Sequence, residues 1–354
     1  MEREILLKEN STKAKVLSAL EADCGRYVSG TDLAEETQVS RTAVWKAVNT
    51  LKKMRYSIDG CPKRGYILHP DKDVISEFSI KNFMHLYREE TTVRAFGKVT
   101  STNTVARNFA KRGLAKYTAI VAEEQTEGRG TRGRKFFSPS GTGLYMSLIL
   151  RPDTDNAVDA LYITTAAAAA CAEAIEGIFG VKAFIKWVND IYVAGKKVCG
   201  ILTEGSFDPD GQGIEYAVLG IGVNVFRPVG DFPDELRNIA YWLSDEPLCN
   251  IRSRLAAEIL ERFIFYYERL SEKPFLRSYK KRMFLTGRDV EVTRGNETFD
   301  AFVLGLADDL SLEVRLNDGK IISLNSGDVR LKLKDVCEDQ DDDLTGDESP
   351  NAEK

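Results

Sequence analysis

The chain has 354 residues, 43% of them hydrophobic and 29% charged, the balance of an ordinary soluble protein of two or three domains. The opening Met1-Glu2-Arg3-Glu4 lacks a signal-peptide pattern, and no apolar run is expected to reach the roughly 18 residues that cross a bilayer, so a cytoplasmic location without membrane partners is expected. Six scattered cysteines, no CxxC pair and two histidines exclude a zinc finger and argue against a disulfide framework. The net charge of −5 is unevenly spread: residues 335–354 hold nine acidic residues and one basic, whereas Ser40 to Tyr66 holds seven basic residues against Asp59 alone. The first stretch reads as an acidic disordered tail and the second as a surface for a polyanion, although charge alone fits a solvated face equally well.

In chain order, residues 1–69 read as helices followed by a short hairpin. Val16, Leu17 and Leu20 make one apolar face, and Ser29 to Asp32 has the spacing of a capping box. Ser40 is placed as an N-cap, with Val39 and Val44 able to staple across it. The helix behind it buries Val44, Ala47, Val48 and Leu51. Its other face offers Arg41, Thr42, Trp45, Lys46 and Asn49, and the turn Cys61-Pro62-Lys63-Arg64 joins two strands. Helix, helix, tight turn, helix and basic hairpin is a winged helix-turn-helix. Ser40, Arg41, Thr42, Trp45, Lys46, Asn49, Lys63 and Arg64 are its candidate DNA contacts. A small domain used only for packing remains the alternative.

Residues 70–285 read as a mixed α+β domain. Strands are expected at Thr118–Ala122, Leu144–Leu150, Phe184–Val188, Ile191–Val193, Val198–Thr203 and Tyr216–Val225. The clearest helices are Asn103–Lys111, Asn156–Phe179 and Ile251–Leu270, and Ala194-Gly195 is placed to turn a hairpin. Residues 286–334 alternate in short strands separated by turn residues, the pattern of a small β-barrel.

Four clusters in the middle domain carry chemistry. Gly128, Gly130 and Gly133 spell GxGxxG, but a strand rather than a helix follows, which rejects dinucleotide binding. A mobile glycine loop remains, bearing Arg129, Arg132, Arg134 and Lys135, suited to anions or to plain solvation. Lys186-Trp187-Val188-Asn189-Asp190 with Lys196-Lys197 and Gly200–Glu204 sets polar groups among apolar strand residues, a site or ordinary turn chemistry. Ser101-Thr102-Asn103-Thr104 precedes a helix and could be no more than a cap. Leu219–Asn224 is a glycine-containing strand that could simply be closely packed.

In this order and spacing, over residues 12–334, the four clusters resemble the biotin protein ligase family, and the two flanking domains resemble its bifunctional, gene-repressing members. The resemblance implies a ligase domain of class II synthetase-like fold and an SH3-like C-terminal barrel. It implies that biotin and ATP, with Mg²⁺, form biotinyl-5′-AMP, which passes biotin to a lysine of a biotin carboxyl-carrier protein. Operator DNA and a homodimer are implied as well. Arg129, Lys186 and Lys197 would be catalytic. Ser101, Thr102, Asn103, Gln125, Arg129, Gly130, Thr131 and Lys197 would hold biotin. Gly128, Arg132, Arg134, Phe136, Lys186, Asn189, Asp190 and Asn224 would hold the nucleotide, Asp190 also meeting the metal. The chain departs from the family at Thr131 (for arginine), Phe136 (for tryptophan), Val188 (for proline) and Cys199 (for a small residue). A lipoate-type ligase and a non-catalytic biotin sensor are the competing readings.

Overall fold

Hydroxyl caps start the helices of the first unit. Ser11 accepts from Ala14 N at 3.3 Å to open α1 (Thr12–Ala22), and after strand β1 (Tyr27–Val28) Ser29 accepts from Asp32 N at 3.0 Å to open α2 (Gly30–Glu36). Ser40 accepts from Ala43 N at 3.2 Å at the start of α3 (Arg41–Lys53); each bond satisfies a donor that the first helical turn leaves open. This is a computed structural model, and it describes residues 11–71, 73–151, 160–207, 214–246, 248–325 and 329–333. The acidic segment 335–354 and the expected first helical residues at 156–159 lie outside them.

Val44, Ala47, Val48 and Leu51 of α3 are buried against Val16, Leu17, Leu20 and Leu33. The hairpin β2 (Ile58–Cys61) and β3 (Gly65–Leu68) forms as expected, and β1 adds a third strand in the order β1-β3-β2. Gly65 lies at φ +98°, and a Cβ there would come within 2.0 Å of the Val28 carbonyl oxygen, so only glycine lets the wing close on β1. The short α4 (Glu77–Phe83) was not foreseen; its Phe78 joins this core, while Ile80 joins that of the next unit.

The central unit contains β4 (Thr92–Phe96), α5 (Thr102–Lys111), β5 (Thr118–Ala122), β6 (Gly143–Leu150), α6 (Ala160–Phe179), β7 (Phe184–Lys186), β8 (Asp190–Val193), β9 (Lys196–Phe207), β10 (Ile214–Asn224), α7 (Asp234–Arg237), α8 (Ile251–Glu268) and α9 (Leu276–Arg282). Its strands make one seven-stranded sheet, β4-β5-β6-β10-β9-β8-β7, with β4 and β5 parallel and every other pair antiparallel. The β8–β9 hairpin turns through Ala194 and Gly195, both at positive φ, the conformation that matches strand twist in a two-residue loop. On one face of the sheet α5 packs through Ala106 and Ala110; the other carries α6 and α8.

Two expectations need correction. Helix α6 is 20 residues long and apolar enough to cross a membrane by length and composition; its alanine-rich surface is instead covered by the protein's own core, where Ala166–Ala170 are fully buried. Cys24, just past α1, and Cys249, just before α8, meet across the first two units with Cα atoms 6.3 Å apart, within the span that a disulfide bridges. The cysteines therefore include one pair that ties two units together, although they form no framework.

The last unit has strands β11 (Asp289–Arg294), β12 (Glu297–Leu306), β13 (Leu312–Leu316), β14 (Ile321–Leu324) and β15 (Val329–Leu333), antiparallel in the order β14-β13-β12-β11-β15. Val290, Val292, Val303 and Val314 extend the central core into it, and Trp187 Nε1 donates to the Leu310 carbonyl at 3.2 Å. The fold class is α+β and multidomain: a winged helix, a mixed-sheet central unit and a small antiparallel C-terminal unit.

Candidate active site and winged-helix surface

The site begins where α5 meets the sheet. Ser101 occupies the N-cap position, but its side chain makes no capping bond, so an ordinary cap does not explain this cluster. Ser101, Thr102 and Asn103 are all buried. Gln125 Oε1 accepts from Thr102 N at 2.8 Å and Thr102 Oγ1 at 3.1 Å, and Gln125 Nε2 donates to Ser138 Oγ at 2.9 Å. Ser147 Oγ, from the middle of β6, lies 2.6 Å from Asn103 Oδ1 and 2.7 Å from Thr102 Oγ1. Asn103 Nδ2 donates to Glu204 Oε2 at 2.7 Å, and Arg107 approaches the other Glu204 oxygen at 3.5 Å. The Asn103 amide lies directly over Gly220, where a Cβ would stand 2.2 Å from Asn103 Oδ1.

Sequence reasoning did not assign Ser147, Ser138, Glu204 or Arg107 to this cluster. Two of them carried a readable signal: Ser147 is the lone hydroxyl in the otherwise apolar half of an eight-residue buried strand, and Glu204 is a charge inside a long one. Neither buried Ser147 nor half-buried Glu204 has a cheap place there unless it is partnered.

The glycine loop is a folded hairpin. Gly130 N donates to Arg134 O at 2.7 Å, Phe136 N donates to Gly128 O at 2.9 Å, and Thr131–Gly133 makes one tight turn with Arg132 at φ +59°. Arg129, Arg132, Arg134 and Lys135 are exposed on it. Phe136 folds inward onto two glycines of neighbouring strands: a Cβ at Gly222 would be 2.7 Å from its ring, and one at Gly200 would be 3.4 Å away. The glycines of β10 are thus bare because Asn103 and Phe136 lie over them.

Beside Phe136 the strand ends bring the cations together. Lys186 and Asp190 face each other across β7 and β8, and Lys197 Nζ pairs with Asp190 Oδ1 at 2.6 Å. Burial, the largest influence, holds the Lys186 ammonium below the ordinary lysine range. Asp190 opposes that shift, while Lys197 and Arg134 reinforce it. The charge of Arg134, exposed on the loop, is thus felt at Lys186 together with that of Lys197. Asn189 Nδ2 donates to the Ile201 carbonyl at 2.9 Å, and Asn224 ends β10 opposite Gly143. The Trp187–Val188 peptide is cis, and Cys199 is fully buried beside Cys171. Among the described residues no group of three or more His, Cys, Asp or Glu side chains could hold a metal ion.

On α3, Arg41, Thr42, Trp45 and Lys46 are exposed and Asn49 is half-buried, with Trp45 57% exposed. Ser40 spends its hydroxyl on the cap. Lys63 is exposed on the wing at φ +69°, while the Arg64 guanidinium stacks 4.0 Å above the Tyr27 ring.

Comparison with known proteins agrees with this layout. Residues 96–224 match the model of the biotin/lipoate A/B protein ligase family, and residues 12–67 match that of an HTH domain. The chain is 31% identical over 329 residues to the bifunctional ligase/repressor BirA of Bacillus subtilis, covering 91% of this chain and 99% of that protein. It is 28% identical over 332 residues to BirA of Salmonella typhimurium, covering 92% and 99%. Among solved structures it is similar to the biotin protein ligase of Aquifex aeolicus in complex with biotin and ATP, at 27% identity and a TM-score of 0.58, covering 68% of this chain and 99% of that one. The chain belongs to the biotin protein ligase family, with the winged helix of its bifunctional ligase/repressor members.

Proposed function

We propose that this protein ligates biotin to a lysine of a biotin carboxyl-carrier protein through biotinyl-5′-AMP, and that as a cytoplasmic homodimer it represses biotin genes when the adenylate is bound. The observation that supports the reading best is that Lys186, Asp190 and Lys197 gather at strand ends beside Phe136, whose ring lies over Gly222, while the buried hydrogen-bonded cluster of Thr102, Asn103, Gln125 and Ser147 lies over Gly220 of the same strand.

The first step brings two anions together. A biotin carboxylate oxygen attacks the α-phosphorus of ATP, the bond to the bridging oxygen breaks and pyrophosphate leaves. Lys186, Lys197 and Arg129 supply the positive charge that offsets this repulsion and stabilises the charge gathering at phosphorus. In the second step the acceptor amine attacks the carbonyl carbon, AMP leaves and the amine gives up a proton. Ser101, Thr102, Asn103 and Gln125 hold the ureido ring. The backbone of Arg129–Thr131 and the Lys197 ammonium take the carboxylate. Gly128, Arg132, Arg134, Phe136, Asn189 and Asn224 surround the nucleotide. Thr131 supplies no charge where relatives carry arginine, which loosens the hold on the adenylate; Arg132 and Arg134, one and three residues further on, compensate in part.

Mg²⁺ fits as a passenger on ATP rather than as a resident ion. Asp190 is a single carboxylate already paired with Lys197, and an ion held mainly by phosphates needs no more than one or two protein carboxylates.

ATP–pyrophosphate exchange with purified protein tests the reading, comparing biotin, lipoate and no acid. Exchange with biotin alone is expected; exchange with lipoate instead would move the protein to the sister activity, and none with either acid would remove the catalytic claim.

A further inference from the structure

One arginine outside the cation cluster makes six hydrogen bonds to three residues among those described. Arg252, in the first turn of α8, is fully buried. Its Nη1 donates to Glu123 Oε2 at 2.9 Å and to the Gly143 carbonyl at 3.2 Å, and its Nη2 donates to Glu123 Oε1 at 3.2 Å. Glu123 directly follows β5 and Gly143 opens β6, so the two are the feet of the segment that holds Gln125 and the glycine loop. The remaining contacts go elsewhere: Arg252 N and Nε donate to Asp73 Oδ2 at 2.9 and 3.2 Å, and Nη2 also donates to the Asp73 carbonyl. Asp73 belongs to the stretch leading out of the winged helix, and two residues later Ile75 N donates to Glu123 Oε1 at 2.8 Å.

We propose that Arg252 is a positioning residue for adenylate formation, clamping both feet of the glycine loop, and that Asp73 makes this clamp answer to the seating of the winged helix. The proposal rests on the ligase reading for its chemistry and on the contacts above for its geometry. A guanidinium pinned by two carboxylates and two carbonyls has one orientation. Glu123 therefore cannot shift without moving Gln125, two residues on, or without releasing Arg252 toward Asp73. The burial of two carboxylates around one guanidinium pushes Asp73 above the usual carboxylate range despite the attraction of Arg252, so the node is poised and sensitive to the loss of either acid.

The test uses Asp73→Asn and Glu123→Gln in the full chain, each removing one charge at constant shape. Two readouts are taken: the KM for biotin in pyrophosphate exchange, and the rate of tryptic cleavage at Arg129–Lys135 mapped by mass spectrometry. The expected result is a rise of about ten-fold in KM together with faster cleavage of the loop, kcat falling less, as follows when binding groups are displaced by a fraction of an ångström. Lower thermal stability with unchanged KM and unchanged loop cleavage would overturn it, because a merely structural role moves stability alone. Should Asp73→Asn not fold, Glu123→Gln carries the same two readings. Absence of exchange in the unmodified protein would defeat the ligase reading but leave the cleavage comparison to decide the clamp.

Discussion

At the scale of single residues, the candidate site depends as much on side chains that are absent as on those that are present. Gly220 and Gly222 alternate along β10 on one face, where they admit the Asn103 amide and the Phe136 ring. The run Leu219–Asn224 showed the glycines but not what covered them, because Asn103 lies more than a hundred residues away in the chain. A Gly222→Ala substitution places a Cβ 2.7 Å from the Phe136 ring and must push that ring and the loop behind it. The expected outcome is a loss of about ten-fold or more in kcat/KM for pyrophosphate exchange with an unchanged circular dichroism spectrum. Activity equal to the unmodified protein would show that Phe136 does not set the loop. The charged and hydroxyl residues were legible through their motif; Ser147 and Glu204 were not assigned because their partners come from helix α5, far away in the chain.

At the scale of elements, long periodic segments were readable, and short ones only where a cap or a turn motif marked them, as at α2 and the wing. Helix α3 followed from its three- and four-residue apolar spacing, whereas α4 and α9, each of seven residues, give too few turns for a period to show. The loop expected from the glycines takes the form of a hairpin, and the bond from Gly130 N to Arg134 O that shapes it is invisible in composition. The exposed face of α3 makes a direct prediction: Lys46→Ala should weaken binding to any DNA duplex and lower the slope of log affinity against log salt by about one. A slope that does not change would remove Lys46 from the contact surface. The seam between α1 and α4 makes another. Glu21 Oε1 accepts from Ser79 Oγ at 2.7 Å, while its other oxygen is buried without a hydrogen-bond partner among the described residues. Burial raises its carboxyl from 4.5 to about 7, with Asp73 adding to the rise and Ser79 opposing it. The folded state therefore binds more protons than the unfolded one between these values, and stability falls as pH rises from 4.5 through 7, by about 3 kcal/mol in all. Glu21→Gln keeps the bond and removes the ionisation, so the variant should match the unmodified protein near pH 4.5 and exceed its Tm at pH 8; parallel Tm curves would contradict this.

At the scale of the whole molecule, three units in one order, helical DNA reader, mixed-sheet site and small antiparallel cap, follow from the way hydrophobic period and turn residues change along the chain. The sheet order does not. Strand β6 pairs with β10, and this pairing brings Ser147 and Gly220 to the same place; nothing local in either strand announces it. The Cys24–Cys249 contact was hidden for the same reason, its two residues being 225 positions apart. The alanine-rich α6 shows the converse, a segment whose composition alone fits a bilayer and whose setting is a protein core. The central claim is that this arrangement activates biotin and hands it to a lysine. The most direct measurement is the intact mass of a biotin carboxyl-carrier domain incubated with the protein, ATP, Mg²⁺ and biotin. The account predicts a gain of one biotinyl group that requires ATP and is lost when the acceptor lysine is replaced. An acceptor whose mass stays unchanged while biotin is bound would contradict it.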